Sequence, residues 1–152
     1  MVYKVIIFTI LNFAALGLGG LLMGEGPKSD WYQSLNKAPW TPPGWVFGAA
    51  WTLIMICFSF YISKVLDKTD NTRFTILLYS LQFILNVVWN PAFFKYHQAL
   101  TSLIIIILLT LLIGYIFYYF YSQAKSSSIL ILPYLLWLII ATSLNAYIYL
   151  KN

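Results

Sequence analysis

Apolar residues along this chain fall into five long runs separated by short polar stretches. Residues 5–24, 38–63, 74–94, 99–124 and 126–150 contain no charged side chain. Each is at least as long as the roughly 20 residues that carry a helix across a bilayer. In hydrocarbon such a run must satisfy its backbone donors and acceptors within itself, and a helix does so. The pattern predicts an all-α integral membrane protein, a five-transmembrane-helix bundle with spans near 5–24, 43–65, 73–95, 98–121 and 129–150. These form one domain over residues 1–152, with a polar, proline-containing segment at 25–42. Lys4 precedes the first run, and Gly17-Leu18-Gly19 has the small-x-small form of a signal cleavage site. The apolar stretch exceeds the roughly 7–15 residues of a signal core, so it reads as a helix.

Within the runs, polar and small residues recur at helical spacing. Gln82, Asn86, Trp89 and Phe93 share one face of the third run, and two amides and an indole on one face seek an interior. Asn90-Pro91 follows, where proline bends or ends the helix. The fifth run places Pro133, Trp137, Ala141, Leu144 and Asn145 on one face, with the small Ala141 leaving room one turn from an indole. Gly17, Gly20 and Gly24 share a face of the first run and let another helix come close, from this chain or from a second copy in a homodimer. The fourth run is branched aliphatic until its tyrosines and reads as a wall.

The crossing from polar segment to second run, WYQSLNKAPWTPPGWVFGAAW (31–51), holds four of the six tryptophans and three of the six prolines. Thr41 fits an N-cap and Pro42 the first helical position. Trp45 falls at the interface, whereas Trp51, two turns deeper, needs a partner for its indole NH. Asp30 and Gln33 have capping-box spacing, which predicts a short helix over 31–36. Pro39, Pro42 and Pro43 stiffen the way back. The expected result is a cover carrying Trp31, Tyr32, Leu35 and Trp40 over the mouth of the bundle.

Composition narrows the chemistry. Hydrophobic residues make up 61% of the chain and charged residues 9%, against about 25% charged in soluble domains. Glu25, Asp30, Asp67, Asp70 and the lone His97 all lie between the runs. Without a carboxylate or histidine at mid-membrane, a proton relay, a carboxylate-coordinated ion, a two-carboxylate or Ser-His-Asp hydrolase and a metal site all lack their parts. No file of polar residues is evident that would make a channel. The single Cys57 permits no internal disulfide. The net charge of +5 sits in loops and ends, as expected of membrane-interface anchoring rather than nucleic-acid binding. Lys4, Lys64, Lys68, Arg73 and Lys125 fall on one side and Lys28, Lys37, Lys95 and Lys151 on the other, which leaves orientation open. An odd number of spans puts the termini on opposite sides.

Three ordered blocks, WYQSLNKAPWTPPGWVFGAAW, LQFILNVVWNPAFF and PYLLWLIIATSLN, resemble the signature regions of the tryptophan-rich sensory protein and translocator protein family (TspO/MBR, peripheral-type benzodiazepine receptors). The resemblance runs through essentially the whole chain. It implies a five-helix bundle whose pocket opens toward the first loop and takes flat hydrophobic ligands: tetrapyrroles such as protoporphyrin IX, sterols in some members, and benzodiazepine-type drugs. Carried over by position, the pocket would use Trp51, Asn86, Trp89, Trp137, Ala141 and Leu144. Trp31, Tyr32, Leu35, Pro39, Trp40 and Pro42 would close it. The family's sterol motif is altered here to LNAYIYLKN, with Ala146 in a tyrosine position and no arginine. Leu144, Tyr147 and Lys151 keep only the loose leucine-tyrosine-basic pattern.

Three functions stay open at this point. One is a membrane receptor or carrier for porphyrin-like ligands that requires no cofactor, and the second is an interaction scaffold. The third is a light- and oxygen-dependent porphyrin-degrading enzyme, in which the pigment supplies the reactive species and Trp51 and Trp137 are the candidates for electron or radical transfer.

Overall fold

The computed structural model describes all 152 residues and contains helices and turns without strands. Five helices are long and apolar enough to cross a membrane. They are α1 (Val2–Leu22), α3 (Gly44–Lys68), α4 (Thr72–Asn90), α5 (Ala99–Tyr119) and α7 (Leu132–Lys151). The short α2 (Asp30–Ser34) lies in the first loop, and α6 (Tyr121–Ala124) follows α5.

The boundaries have local causes. Beyond Leu22 the chain turns through Gly24 and Gly26, at φ 67° and 56°, a region that a side chain disfavours. The cap of α2 is Ser29, whose Oγ accepts the Tyr32 backbone NH at 3.2 Å. The box expected between Asp30 and Gln33 does not form, because Gln33 Nε2 donates to the Pro27 carbonyl instead. Likewise α3 starts two residues later than Thr41 and Pro42 suggested: Pro43 occupies the cap, in extended backbone, without a side-chain bond. At the far end of α4, Pro91 supplies no NH and the ladder widens to a π turn over Pro91–Lys95, closed by Tyr96 NH on the Pro91 carbonyl at 2.9 Å. A seven-residue 3-10 segment, Lys125–Ile131, leads into α7, so the fifth helix begins at Leu132 rather than 129.

The spanning helices close into a ring in the order α1, α3, α7, α5, α4, with α4 returning to α1. Phe58, Tyr61, Tyr79, Tyr134 and the α5 isoleucines Ile106, Ile113 and Ile116 fill the centre. Phe58 sits edge-on to Tyr134 at 5.3 Å between ring centroids and stacks on Tyr79 at 6.1 Å. Buried amides and hydroxyls lock the register. Asn12 of α1 donates to Ser59 Oγ of α3 at 2.9 Å and accepts from Tyr79 Oη of α4 at 2.8 Å. The inward face of α4 thus carries a file of polar groups, in which Thr75 and Tyr79 extend the expected pair Gln82 and Asn86. Their hydrogen bonds, to one another's partners or to the backbone, leave interhelical glue rather than a channel.

The two ends of the ring differ. At one, Lys4 and the chain's first amine pair with Asp67. At the other lie the first loop, the 91–98 segment and the C-terminus, where Asn36 NH donates to Asn152 Oδ1 at 2.9 Å. The termini therefore lie on opposite ends.

Candidate functional site

Two aromatic pairs join α3 and α7 below the first loop. Trp51 meets Tyr134 edge-on, with centroids 5.9 Å apart, and Phe47 meets Trp137 in the same way at 5.3 Å. Phe47 and Trp51 are four residues apart on α3, and Tyr134 and Trp137 three apart on α7, so each helix presents one aromatic face. Tyr134 Oη accepts from Asn86 Nδ2 and donates to Gln82 Oε1, both at 3.0 Å. Trp51 and Asn86 thereby meet at Tyr134, and Trp137, one turn along α7, meets Phe47.

Trp89, half-buried, points to a neighbouring point of the bundle. Its indole NH donates to Asn145 Oδ1 at 3.0 Å, and its ring stacks on Phe93 at 5.3 Å. Ala141 and Leu144 are buried on the face of α7 that also carries Trp137. Pro133 is displaced to the rim, and Tyr134 takes its inward position.

The first loop forms a lid tied down on both sides. Trp31 stacks on His97 at 4.1 Å and meets Phe93 edge-on at 5.5 Å. Tyr32 packs on Phe93 and Phe94, with Lys37 Nζ 4.9 Å from its ring centroid. Burial raises the Tyr32 phenol above its ordinary pKa. On the opposite side Trp40 Nε1 donates to Ser143 Oγ at 3.1 Å, and its ring meets Tyr147 at 5.5 Å. Leu35 and Pro42 are half-buried and Pro39 is exposed along this path. The weak sterol-type triplet is split by the same packing: Leu144 faces inward, Tyr147 supports Trp40, and Lys151 offers its carbonyl to Asn36 Nδ2 at 3.4 Å. Trp45, 74% exposed, is on the outer surface, as a belt residue would be.

Donor pairing separates the indoles. Trp40 and Trp89 have acceptors. The Trp137 NH is buried without one. The Trp51 NH makes no hydrogen bond within the bundle, and its ring is held by the edge contact with Tyr134. Trp137 also lines a cleft of about 150 Å³ between Ala50 and Leu53 of α3 and Leu136 and Ile140 of α7.

Gly17, Gly20 and Gly24 have open space around them, so they take no part in packing within the bundle. The close approach falls at Gly19, where an added Cβ would lie 2.5 Å from Asn90 Nδ2.

Sequence reasoning missed Tyr134, Asn12, Tyr79, Phe47 and Gly19. Tyr134 was detectable, being three residues before Trp137 and seven before Ala141. Asn12 was the one amide inside the first run.

Fold and site together define a multi-pass integral membrane protein with an aromatic, amide-lined interior beneath a tryptophan-bearing lid. The TspO/MBR family model matches residues 7–150. The tryptophan-rich protein TspO of Archaeoglobus fulgidus is 34% identical over 97% of this chain and 96% of its own length. That of Chlorobaculum tepidum is 33% identical over 86% and 85%. The human translocator protein is 31% identical over 85% of this chain and 78% of its own. This chain belongs to the TspO/MBR family.

Proposed function

We propose that the protein is a receptor or carrier for porphyrin-like tetrapyrroles, protoporphyrin IX among them, and for other flat hydrophobic molecules such as benzodiazepine-type drugs. The observation that carries the reading is the aromatic face shared by α3 and α7 under the lid, where Trp51 and Asn86 meet Tyr134 and Trp137 meets Phe47. Broad aromatic faces with a few fixed polar groups are the usual composition of a small-molecule site. Membership beside proteins named translocator protein and tryptophan-rich sensory protein supports the same reading.

The test is protoporphyrin IX titration of the purified protein, in the dark and then under illumination, followed by Soret absorbance and tryptophan quenching. Saturable binding with a stable spectrum, weakened in Trp51→Phe, Asn86→Leu and Trp137→Phe, is expected. Undiminished binding in all three variants removes this site assignment. Protein-dependent bleaching to a defined product, lost in Trp51→Phe or Trp137→Phe, would make the protein a porphyrin-degrading enzyme instead.

A further inference from the structure

On the outside of the ring the seam between α1 and α4 is not filled by side chains. The two helices meet through Phe8 and Tyr79, edge-on with centroids 4.8 Å apart. Outside this pair a groove of about 410 Å³ runs between Ile7 and Leu11 of α1 and Ile76 and Ile84 of α4. Ile7 and Ile84, 49% and 56% exposed, form rims that open on the bilayer. The lining presents no free polar group, because Ser80 Oγ donates to the Ile76 carbonyl at 2.9 Å and Tyr79 Oη to Asn12 Oδ1 at 2.8 Å.

The groove has a length and a polar end. At 1.5 Å per residue α4 rises about 12 Å from Ile76 to Ile84, close to the roughly 15 Å of hydrocarbon in one leaflet. Toward water, Arg73 continues the same stripe of α4, three residues before Ile76 and seven before Ser80, and Lys4 stands three residues before Ile7 on α1. Lys4 is committed to Asp67, which also takes the chain's first amine. Arg73 is exposed and forms no ion pair, even with Asp70 three residues before it. It also lies in the first turn of α4, where the helix dipole disfavours a cation, and that turn carries no acidic residue. An unpaired guanidinium at a positive helix end therefore stands at the water end of an apolar groove one leaflet deep.

We propose that the α1/α4 groove holds an acyl chain of an anionic phospholipid from the leaflet at this end, with the lipid phosphate against Arg73. The proposal is independent of what the interior of the bundle binds. The chain fills the apolar length, and the guanidinium, whose fork matches phosphate oxygens, selects a lipid with net negative charge over a zwitterionic one. A sterol would bring only a hydroxyl to Arg73. A second copy of this chain, paired face to face, would set Arg73 and Lys4 against the same cations of its partner.

The experiment uses the full chain, labelled at its isoleucine δ1 methyls, in phosphatidylcholine nanodiscs. The discs carry a small fraction of phosphatidylglycerol or of phosphatidylcholine with a mid-chain spin label, and single Ile→Val variants assign the resonances. Labelled phosphatidylglycerol broadens Ile7, Ile76 and Ile84 about fivefold more than labelled phosphatidylcholine, the worth of one basic residue at a membrane surface. Ile104 and Ile107, on the outer face of α5, answer equally to both lipids. Arg73→Gln abolishes the excess at the groove, and Ser80→Leu, which fills the groove, lowers it, while the other methyl resonances report an intact fold. Equal broadening of the groove methyls by the two lipids overturns the proposal, as does an excess that survives Arg73→Gln or that is as large at Ile104 and Ile107. Groove methyls that ignore both lipids and shift when a disc holds two chains assign the seam to a second copy and overturn it too. Free glycerophosphoglycerol, the same headgroup without chains, leaves the excess in place; its loss at equal concentration would mean a phosphate site that takes no chain, against the proposal.

Discussion

The indole NH of Trp89 donates to Asn145 Oδ1 at 3.0 Å, and Asn145 Nδ2 donates in turn to the Ala99 carbonyl at the same distance. One amide thus joins α4, α7 and the first turn of α5, all within the end of the bundle that the lid covers. Asn145 is buried, so breaking either bond strands a polar group of its amide.

Asn145→Leu should lower stability by about 1–3 kcal/mol, the usual cost of leaving buried partners unsatisfied. Combined with Trp89→Phe, the loss should be less than additive, with a coupling of roughly 0.5–2 kcal/mol. Thermal unfolding in detergent for both single variants and the pair measures this, and strict additivity would mean that the bond contributes nothing.

Gly19 and its neighbours on α1 provide a sharper contrast. Gly19→Ala puts a Cβ into the Asn90 amide and should destabilise the protein, with partial rescue by Asn90→Ala. Gly17→Ala and Gly20→Ala meet open space and should be neutral or slightly stabilising, since alanine is the better helix former by up to about 1 kcal/mol. Melting temperatures of the four variants settle the ranking.

Tyr134→Phe keeps the ring edge toward Trp51 but removes both hydrogen bonds to α4. With the Asn86 amide released, porphyrin affinity should fall about threefold to tenfold, on the scale of one hydrogen bond. A retained helical circular dichroism spectrum would show that the loss is local. Unchanged affinity would mean that Asn86 needs no support from Tyr134.

The lid should open at alkaline pH. Burial raises the pKa of the docked Tyr32 phenol above its ordinary 10.0, so the docked form favours the neutral ring. Docking is fully supported below pH 10 and weakens as pH climbs from there through the docked pKa. Trp31 fluorescence in a variant that keeps it as the reporter should show the transition, and Tyr32→Phe should abolish it. An identical pH profile in Tyr32→Phe would assign the opening to another group.

Much of the architecture was legible because the bilayer is an unforgiving solvent. Charge-free runs of this length admit few solutions, and the chain forms five helices long and apolar enough to cross a membrane. Periodicity also placed Gln82, Asn86, Trp137, Ala141 and Leu144 on inward faces, since an amide or an indole avoids lipid whatever its neighbours are. The cover over the bundle was readable from its tryptophans and prolines. Its cap was not, because Ser29, Asp30 and Thr41 are all good capping residues and only the path of the backbone selects among them.

What the linear pattern by itself determined was the solvent, the number of crossings, the inward faces and, through three ordered blocks, the family. Which inward groups meet was decided only in three dimensions. A helix face specifies a direction but not a partner, so the pairing of Tyr134 with Asn86, the choice of Gly19 over Gly20 as the close contact and the unpartnered NH of Trp137 all depend on how the five helices are ordered around the ring.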